Sequence, residues 1–303
     1  NDHQAAFMAP TEILAEQHAQ SLKKLFPPLG ISVVLMTGSL TATQKRQHKA
    51  EIADGSAQLI VGTHALITQD VAFHDLALVV CDEQHRFGVA QRAALSAKGQ
   101  TPHLLVMSAT PIPRTLALIA YGDLDVSVIG ELPPGRLPVD TFLIGEDKRQ
   151  RLNAFIEKQC EASHQVYIVC PTVEESDLES LKSAESFAQT LRQAVFPHRR
   201  VGLLHGKMKQ ADKDAALGAF SRGETDILVA TTVVEVGVDV PNATLMVIEN
   251  AGRFGLSPLH QLRGRVGRGS AQSYCVLVSG NRNEQTRKRL KALCATTDGF
   301  KIA

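Results

Sequence analysis

Short, unbroken apolar runs recur along the chain, and small or polar residues follow nearly every one. In the first half Ala5 to Met8 leads into Ala9-Pro10-Thr11, and Leu59 to Val61 into Gly62-Thr63-His64. Leu76 to Cys81 leads into Asp82-Glu83, and Leu104 to Met107 into Ser108-Ala109-Thr110. The second half repeats the pattern: Val166 to Cys170 before Pro171-Thr172, Val201 to Leu204 before His205-Gly206, Ile227 to Val229 before Ala230-Thr231-Thr232, and Leu245 to Ile248 before Glu249-Asn250. Runs that are apolar at every position, rather than alternating, predict strands buried on both faces of a parallel sheet. Helical stretches lie between them. One covers Thr41 to Ala53, opened by the capping-box pair Thr41 and Gln44 and closed near Gly55. Strands alternating with helices predict a doubly wound α/β fold, whose ligands sit at the carboxyl ends of the strands. That is where the polar clusters fall.

The Pro- and Gly-rich stretch Leu132 to Pro138 breaks this rhythm and marks the expected boundary, with one domain over 1–133 and another over 134–303. A length of 303 residues agrees with two domains of about 150 each. No solenoid-type repeat is present. Hydrophobic residues at 44% and charged residues at 21% argue against disorder. No apolar run approaches the ~18 residues of a membrane span, and Asn1 to Gln4 carries no signal-like pattern. The five cysteines are widely spaced without a Cys-x-x-Cys pair, which argues against a disulfide framework or zinc site and fits a reducing cytoplasm.

The net charge of +1 hides an asymmetry. Residues up to Pro133 carry 9 Lys+Arg against 12 Asp+Glu, and the remainder 23 against 19. Arg253, Arg263, Arg265 and Arg268 cluster in the basic half, suited to phosphate but not decisive alone. With no Trp and 5% aromatics, base-stacking platforms are scarce, which favours tracking of a nucleic-acid backbone over base reading.

Asp82-Glu83 ends the most apolar strand of the first half. Two adjacent carboxylates there suit phosphoryl transfer, one holding Mg²⁺ and the other orienting and deprotonating water; a lone acidic pair is more often a solvated turn. Ser257 as N-cap and Pro258 at the first helical position predict a helix running through Gln261 to Arg268. On it Leu259, Leu262 and Val266 form an apolar stripe, while Gln261, Arg265 and Arg268 form another face able to reach a polyphosphate. Thr232 and Glu235 read as a capping box at a strand end. Thr11 beside Pro10, Thr63 beside Gly62, and Thr232 are hydroxyls that suit either helix capping or contact with a phosphate backbone.

Taken in order, these segments resemble the motifs of superfamily 2 helicases. Pro10-Thr11 looks like motif Ia, Gly62-Thr63 like Ib, Asp82 to His85 like II, Ser108 to Thr110 like III, Ala230 to Asp239 like V, and Gln261 to Arg268 like VI. The text around Met8 to His18, Asp82 to Gly88 and Ala109 to Thr115 narrows the resemblance to branched-DNA helicases of that superfamily. The motors of transcription-repair coupling share much of it, and Gln84, where an acidic residue is usual in those motors, favours the former. The resemblance implies two RecA-like domains facing across a cleft, with ATP and Mg²⁺ as cofactors and branched or duplex DNA as partner. Movement of the 3′-5′ type and a monomeric state are expected. It implies that Asp82 holds Mg²⁺ through water, that Glu83 is the base, and that Gln261, Arg265 and Arg268 complete the catalytic set. Gln84, His85, Ser108, Thr110, Gly237 and Asp239 would serve the nucleotide. Pro10, Thr11, Gly38, Gly62, Thr63, His64, Thr231 and Thr232 would meet DNA.

One feature of the family is missing from the chain: no G-x-x-x-x-G-K-[ST] phosphate loop occurs, Gly206-Lys207 having Val201 and Met208 at the other positions. The family places that loop ahead of motif Ia, so the chain reads as an internal fragment of a motor, its first domain truncated at the N-terminus. A strand is accordingly expected to be missing from the middle of the first sheet. A non-catalytic nucleic-acid-binding remnant is the alternative of a different class. A sugar-nucleotide transferase lacks support, since no G-x-G-x-x-G follows a strand.

Overall fold

The computed structural model describes residues 3–83, 89–108, 125–131, 136–171, 178–231, 240–280 and 283–296. The chain divides into two compact units, Asn1–Ala109 and Thr110–Ala303. Each is built on its own parallel sheet.

The first unit runs β1 (Gln4–Met8), α1 (Glu12–Leu25), β2 (Val33–Met36), α2 (Ala42–Ala53), β3 (Leu59–Gly62), β4 (Leu76–Cys81), α3 (Val89–Ser96) and β5 (His103–Val106). Its strands pair in the order β2-β3-β1-β4-β5. Both faces are covered. Ile52, Leu66 and Leu95 pack with Ala6, Met8, Ile60 and Val79 in one cluster. Leu14, Ala15 and Ala19 of α1 pack with Val33 and Val61 in another. The expected capping box on α2 is present, with Thr41 accepting from Gln44 N and the Gln44 side chain closing back.

The second unit runs β6 (Asp140–Ile144), α4 (Arg149–Glu161), β7 (Gln165–Val169), α5 (Leu178–Thr190), β8 (Val201–Leu204), α6 (Gln210–Ser221), β9 (Ile227–Ala230), β10 (Ala243–Ile248), α7 (Leu256–Arg263), β11 (Tyr274–Val278) and α8 (Glu284–Ala295). Its order is β6-β11-β10-β7-β9-β8. Strands β7, β9 and β10 are buried at every position, as uninterrupted apolar runs require. Among the described residues no helix is long and apolar enough to cross a membrane.

Read from one edge, β2-β3-β1-β4-β5 and β8-β9-β7-β10-β11 follow the same chain order, so the halves are topological copies. They differ at the far side. In the second unit β6 pairs with β11, whereas β5 ends the first sheet with Leu105 52% exposed. This corrects the expectation of a gap in the middle of the first sheet: its five strands pair without interruption, and among the described residues β5 is an edge strand. Strands β2, β6 and β11 are additions to those expected. Two of the three are edge strands, and the pattern of β6 is only partly buried, which weakens its apolar signal.

Candidate functional site

The strand register brings the first unit's motifs into one row. Met36, Gly62, Met8, Cys81 and Val106 lie opposite one another across all five strands. The residues that follow them are Thr37-Gly38, Thr63-His64, Ala9-Pro10-Thr11, Asp82-Glu83 and Met107-Ser108. Every described candidate of this unit therefore sits on the carboxyl edge of one sheet.

On the β2-β3-β1 side lie the residues expected to meet DNA. Thr11 is the N-cap of α1, its hydroxyl accepting from Leu14 N at 3.4 Å. Glu12 Oε1 accepts from Ser39 N at 3.2 Å, tying the start of α1 to the loop that carries the exposed Gly38. Gly62 is demanded by a close approach, since a Cβ there would run into the Met36 carbonyl and meet Leu66 Cγ at 2.9 Å. His64 is exposed. Thr63 is 2% exposed and its buried hydroxyl has no hydrogen-bond partner among the described residues. Thr231, which follows β9 as Thr63 follows β3, is 0% exposed and orphaned in the same way. Each strand end turns these two hydroxyls inward.

On the β4-β5 side Asp82 N donates to Met8 O at 3.0 Å, continuing the ladder one residue past β4. The Asp82 carboxylate accepts from Glu83 N at 3.0 Å through Oδ1 and bonds His18 Nε2 at 3.0 Å through Oδ2. His18 in turn lies against Phe7, with ring centroids 4.5 Å apart. Glu83 has φ 51°, a left-handed backbone that a non-glycine residue adopts only under local constraint. Sequence reasoning missed His18; its spacing of seven from Thr11 on an amphipathic helix was the available signal. Among the described residues no cluster of three or more His, Cys, Asp or Glu could hold a metal. One aspartate beside one glutamate is a donor set that fits Mg²⁺, which keeps its waters and takes its remaining ligands from phosphates.

In the second unit Leu204, Ala230, Val169, Ile248 and Leu277 form the equivalent row. Glu249 stands where Asp82 stands, its N donating to Val169 O at 2.8 Å, and Asn250 matches Glu83 with φ 47°. Glu249 is clamped by Arg149 through bonds of 2.5 and 2.7 Å.

The arginine segment departs from expectation. Helix α7 starts at Leu256 with Gly255 as N-cap and ends at Arg263 with Gly264 as C-cap, so Arg265 and Arg268 lie beyond it. Gly264, Gly267 and Gly269 follow the helix: Gly264 caps it, Gly267 turns the chain at φ 75°, and the Gly267 carbonyl accepts from Arg136 Nε at 2.8 Å. Leu259, Leu262 and Val266 are buried as expected, Gln261 and Arg265 are half-buried, and Arg268 is exposed. Arg263 is structural, 3% exposed and donating to Leu293 O and Thr296 O. Gln84, His85, Thr110, Thr232, Gly237 and Asp239, with the capping partner Glu235, lie outside the described residues.

Two family models divide the chain between them: the DEAD/DEAH box helicase model matches residues 1–119 and the helicase conserved C-terminal domain model residues 147–270. The ATP-dependent DNA helicase RecG of Synechocystis is 54% identical over 301 residues, covering 99% of this chain and 36% of that protein. Over nearly its whole length the chain is similar to RecG, and its two halves match helicase family models. RecG of Escherichia coli K12 is 51% identical over 99% of this chain and 44% of its own length. A RecG structure bound to a three-way DNA junction superposes with a TM-score of 0.85 at 46% identity, over 99% of this chain and 39% of that one. The helicase MrfA bound to DNA and AMPPNP shares the fold alone, with a TM-score of 0.68 at 14% identity over 96% of this chain and 44% of that one. The chain thus spans about two fifths of the RecG proteins it matches.

Proposed function

We propose that this chain is the motor portion of an ATP-driven helicase that acts on branched DNA. The observation that carries the reading is the single carboxyl-edge row, on which the acidic pair Asp82-Glu83 and the loops at Thr11, Gly38 and His64 share one sheet. The likeness to RecG supports branched DNA as the substrate.

In this reading Asp82 holds Mg²⁺ through water, and the bound cation would neutralise charge on the β- and γ-phosphates. Glu83 accepts the proton of the attacking water, and Arg265 and Arg268 bring positive charge to the transferred phosphoryl group, with Gln261 beside them. Gln84, His85, Gly237 and Asp239 contact the nucleotide, and Ser108 and Thr110 relay its state to the rest of the motor. Pro10, Thr11, Gly38, Gly62, Thr63 and His64 engage the DNA backbone in the first domain, with Thr231 and Thr232 in the second. We place the domain boundary at Pro133, the motor in a reducing cytoplasm, and the active form as a monomer.

The test is displacement of a labelled strand from a three-way junction by the native gene product. ATP-dependent displacement supports the reading. A protein that binds the junction and never displaces a strand would favour the non-catalytic remnant.

A further inference from the structure

The bond between His18 and Asp82 joins two parts of the first unit that the sequence keeps 64 residues apart. A carboxylate offers only lone pairs, so the ring must present its hydrogen at Nε2 toward Oδ2. Phe7, on the strand beside Asp82, backs the ring and fixes its plane. Seven residues before His18, the same helix begins at Thr11, and its first residue, Glu12, holds the Gly38 loop through Ser39 N. Helix α1 is thus anchored at its start among the loops assigned to DNA and, two turns on, at the carboxylate assigned to Mg²⁺.

The second unit shows what a different partner does at the matching place. Arg149 takes both oxygens of Glu249 with a permanent cation, and Glu249 is 7% exposed. That carboxylate is neutralised. His18 takes one oxygen of Asp82 and leaves its side chain 21% exposed, with lone pairs free to act. The first arrangement orients a working carboxylate, and the second retires one.

We propose that His18 is a positioning residue that aims the Asp82 carboxylate, and that through α1 it ties this carboxylate to the DNA-contacting loops. The proposal rests on the reading of Asp82 as the Mg²⁺ residue. Partners that orient a metal-binding carboxylate are typically worth 10- to 100-fold in metal affinity.

The experiment measures Mn²⁺ affinity in the native gene product with a non-hydrolysable ATP analogue, by water-proton relaxation, so no turnover is required. His18→Ala is expected to weaken Mn²⁺ binding by about tenfold. His18→Gln, whose amide N–H reaches the place of Nε2, is expected to recover most of that loss. ATP hydrolysis with and without junction DNA, run on the same proteins, should show His18→Ala losing part of its DNA stimulation as well. Equal Mn²⁺ affinity in wild type and both variants overturns the positioning role while leaving the helicase reading intact. Equal loss in both variants also overturns it, because packing rather than the hydrogen bond would then be at work. A wild type that binds no Mn²⁺ with nucleotide overturns the proposal and the underlying reading together. Weakened binding restored by Gln, in a protein that shows no hydrolysis, supports the positioning role and refutes the motor.

Discussion

Gln4 and Gln165 perform the same task in the two halves of the molecule. Each is the buried first residue of the strand that opens its five-strand copy, β1 or β7. Gln4 Nε2 donates to Ile52 O at 2.9 Å and Ala57 O at 2.7 Å, bridging the end of α2 to the turn before β3. Gln165 Nε2 donates to Phe220 O at 2.6 Å and Thr225 O at 2.8 Å, bridging the end of α6 to the turn before β9. Gln165→Met keeps the volume but leaves Thr225 O without its donor, while Phe220 O keeps the Gly223 N–H at 3.0 Å; a buried carbonyl left unpaired costs about 1–3 kcal/mol. Urea denaturation is expected to show a loss of about 1–3 kcal/mol. A change below ~0.5 kcal/mol, the range of neutral surface substitutions, would show that water replaces the amide.

Gly62 tests the carboxyl-edge row itself. The Cβ of Gly62→Ala collides with the Met36 carbonyl, which is backbone of the neighbouring strand and cannot swing away. Overpacking of this kind typically costs about 1–3 kcal/mol, and the same denaturation measurement reads it. Tolerance of alanine would mean that β2 and β3 can separate at that end.

Buried thiols give the second unit an alkaline limit. Burial pushes Cys160 up to about 11 and Cys170 and Cys275 up to about 12, from an ordinary thiol value near 9; the Glu249 carboxylate adds to the effect at Cys170. The folded state therefore holds these protons more tightly than the unfolded chain does. Their contribution to stability is full below about pH 9 and is lost as pH rises toward 11–12. The urea midpoint should fall between pH 8 and pH 10.5, and a variant with all three cysteines replaced by alanine should lose less over that interval. Identical slopes would assign the alkaline loss to other groups.

DNA binding should be sequence-independent and steeply dependent on salt, because loops at strand ends offer donors to phosphates and few aromatic platforms to bases. Binding to labelled junctions of differing sequence at rising salt reads this. Affinity unchanged between low and high salt would contradict it.

Much of this was legible in the sequence where burial and chemistry coincide. The runs ending at Cys81 and Leu204 match β4 and β8 at both visible limits, because apolar residues filling both faces of a parallel sheet leave little ambiguity. The Thr41-Gln44 box placed the start of α2 correctly because it is a local interaction. What failed was tertiary. Helix α7 ends at Gly264, before Arg265, and the left-handed Gly267 turns the chain two residues on, even though the residue spacing continues a helical pattern. The inward turn of Thr63 and Thr231 depends on strand register, and the His18 bond to Asp82 on contact across 64 residues. The spacing of His18 from Thr11 places the two on one helix face, and no local pattern names the partner across the sheet.

The most direct test is ATP hydrolysis by the native gene product with and without a three-way DNA junction, in wild type and in Glu83→Gln. The 303-residue chain alone, which contains no G-x-x-x-x-G-K-[ST] stretch, is the control and should turn over negligible ATP. Junction DNA is expected to stimulate the wild type, and Glu83→Gln to reduce that rate by about 10²–10⁴-fold, the usual worth of a general base. Turnover that ignores the junction, or survives the loss of the Glu83 carboxylate, would contradict the account.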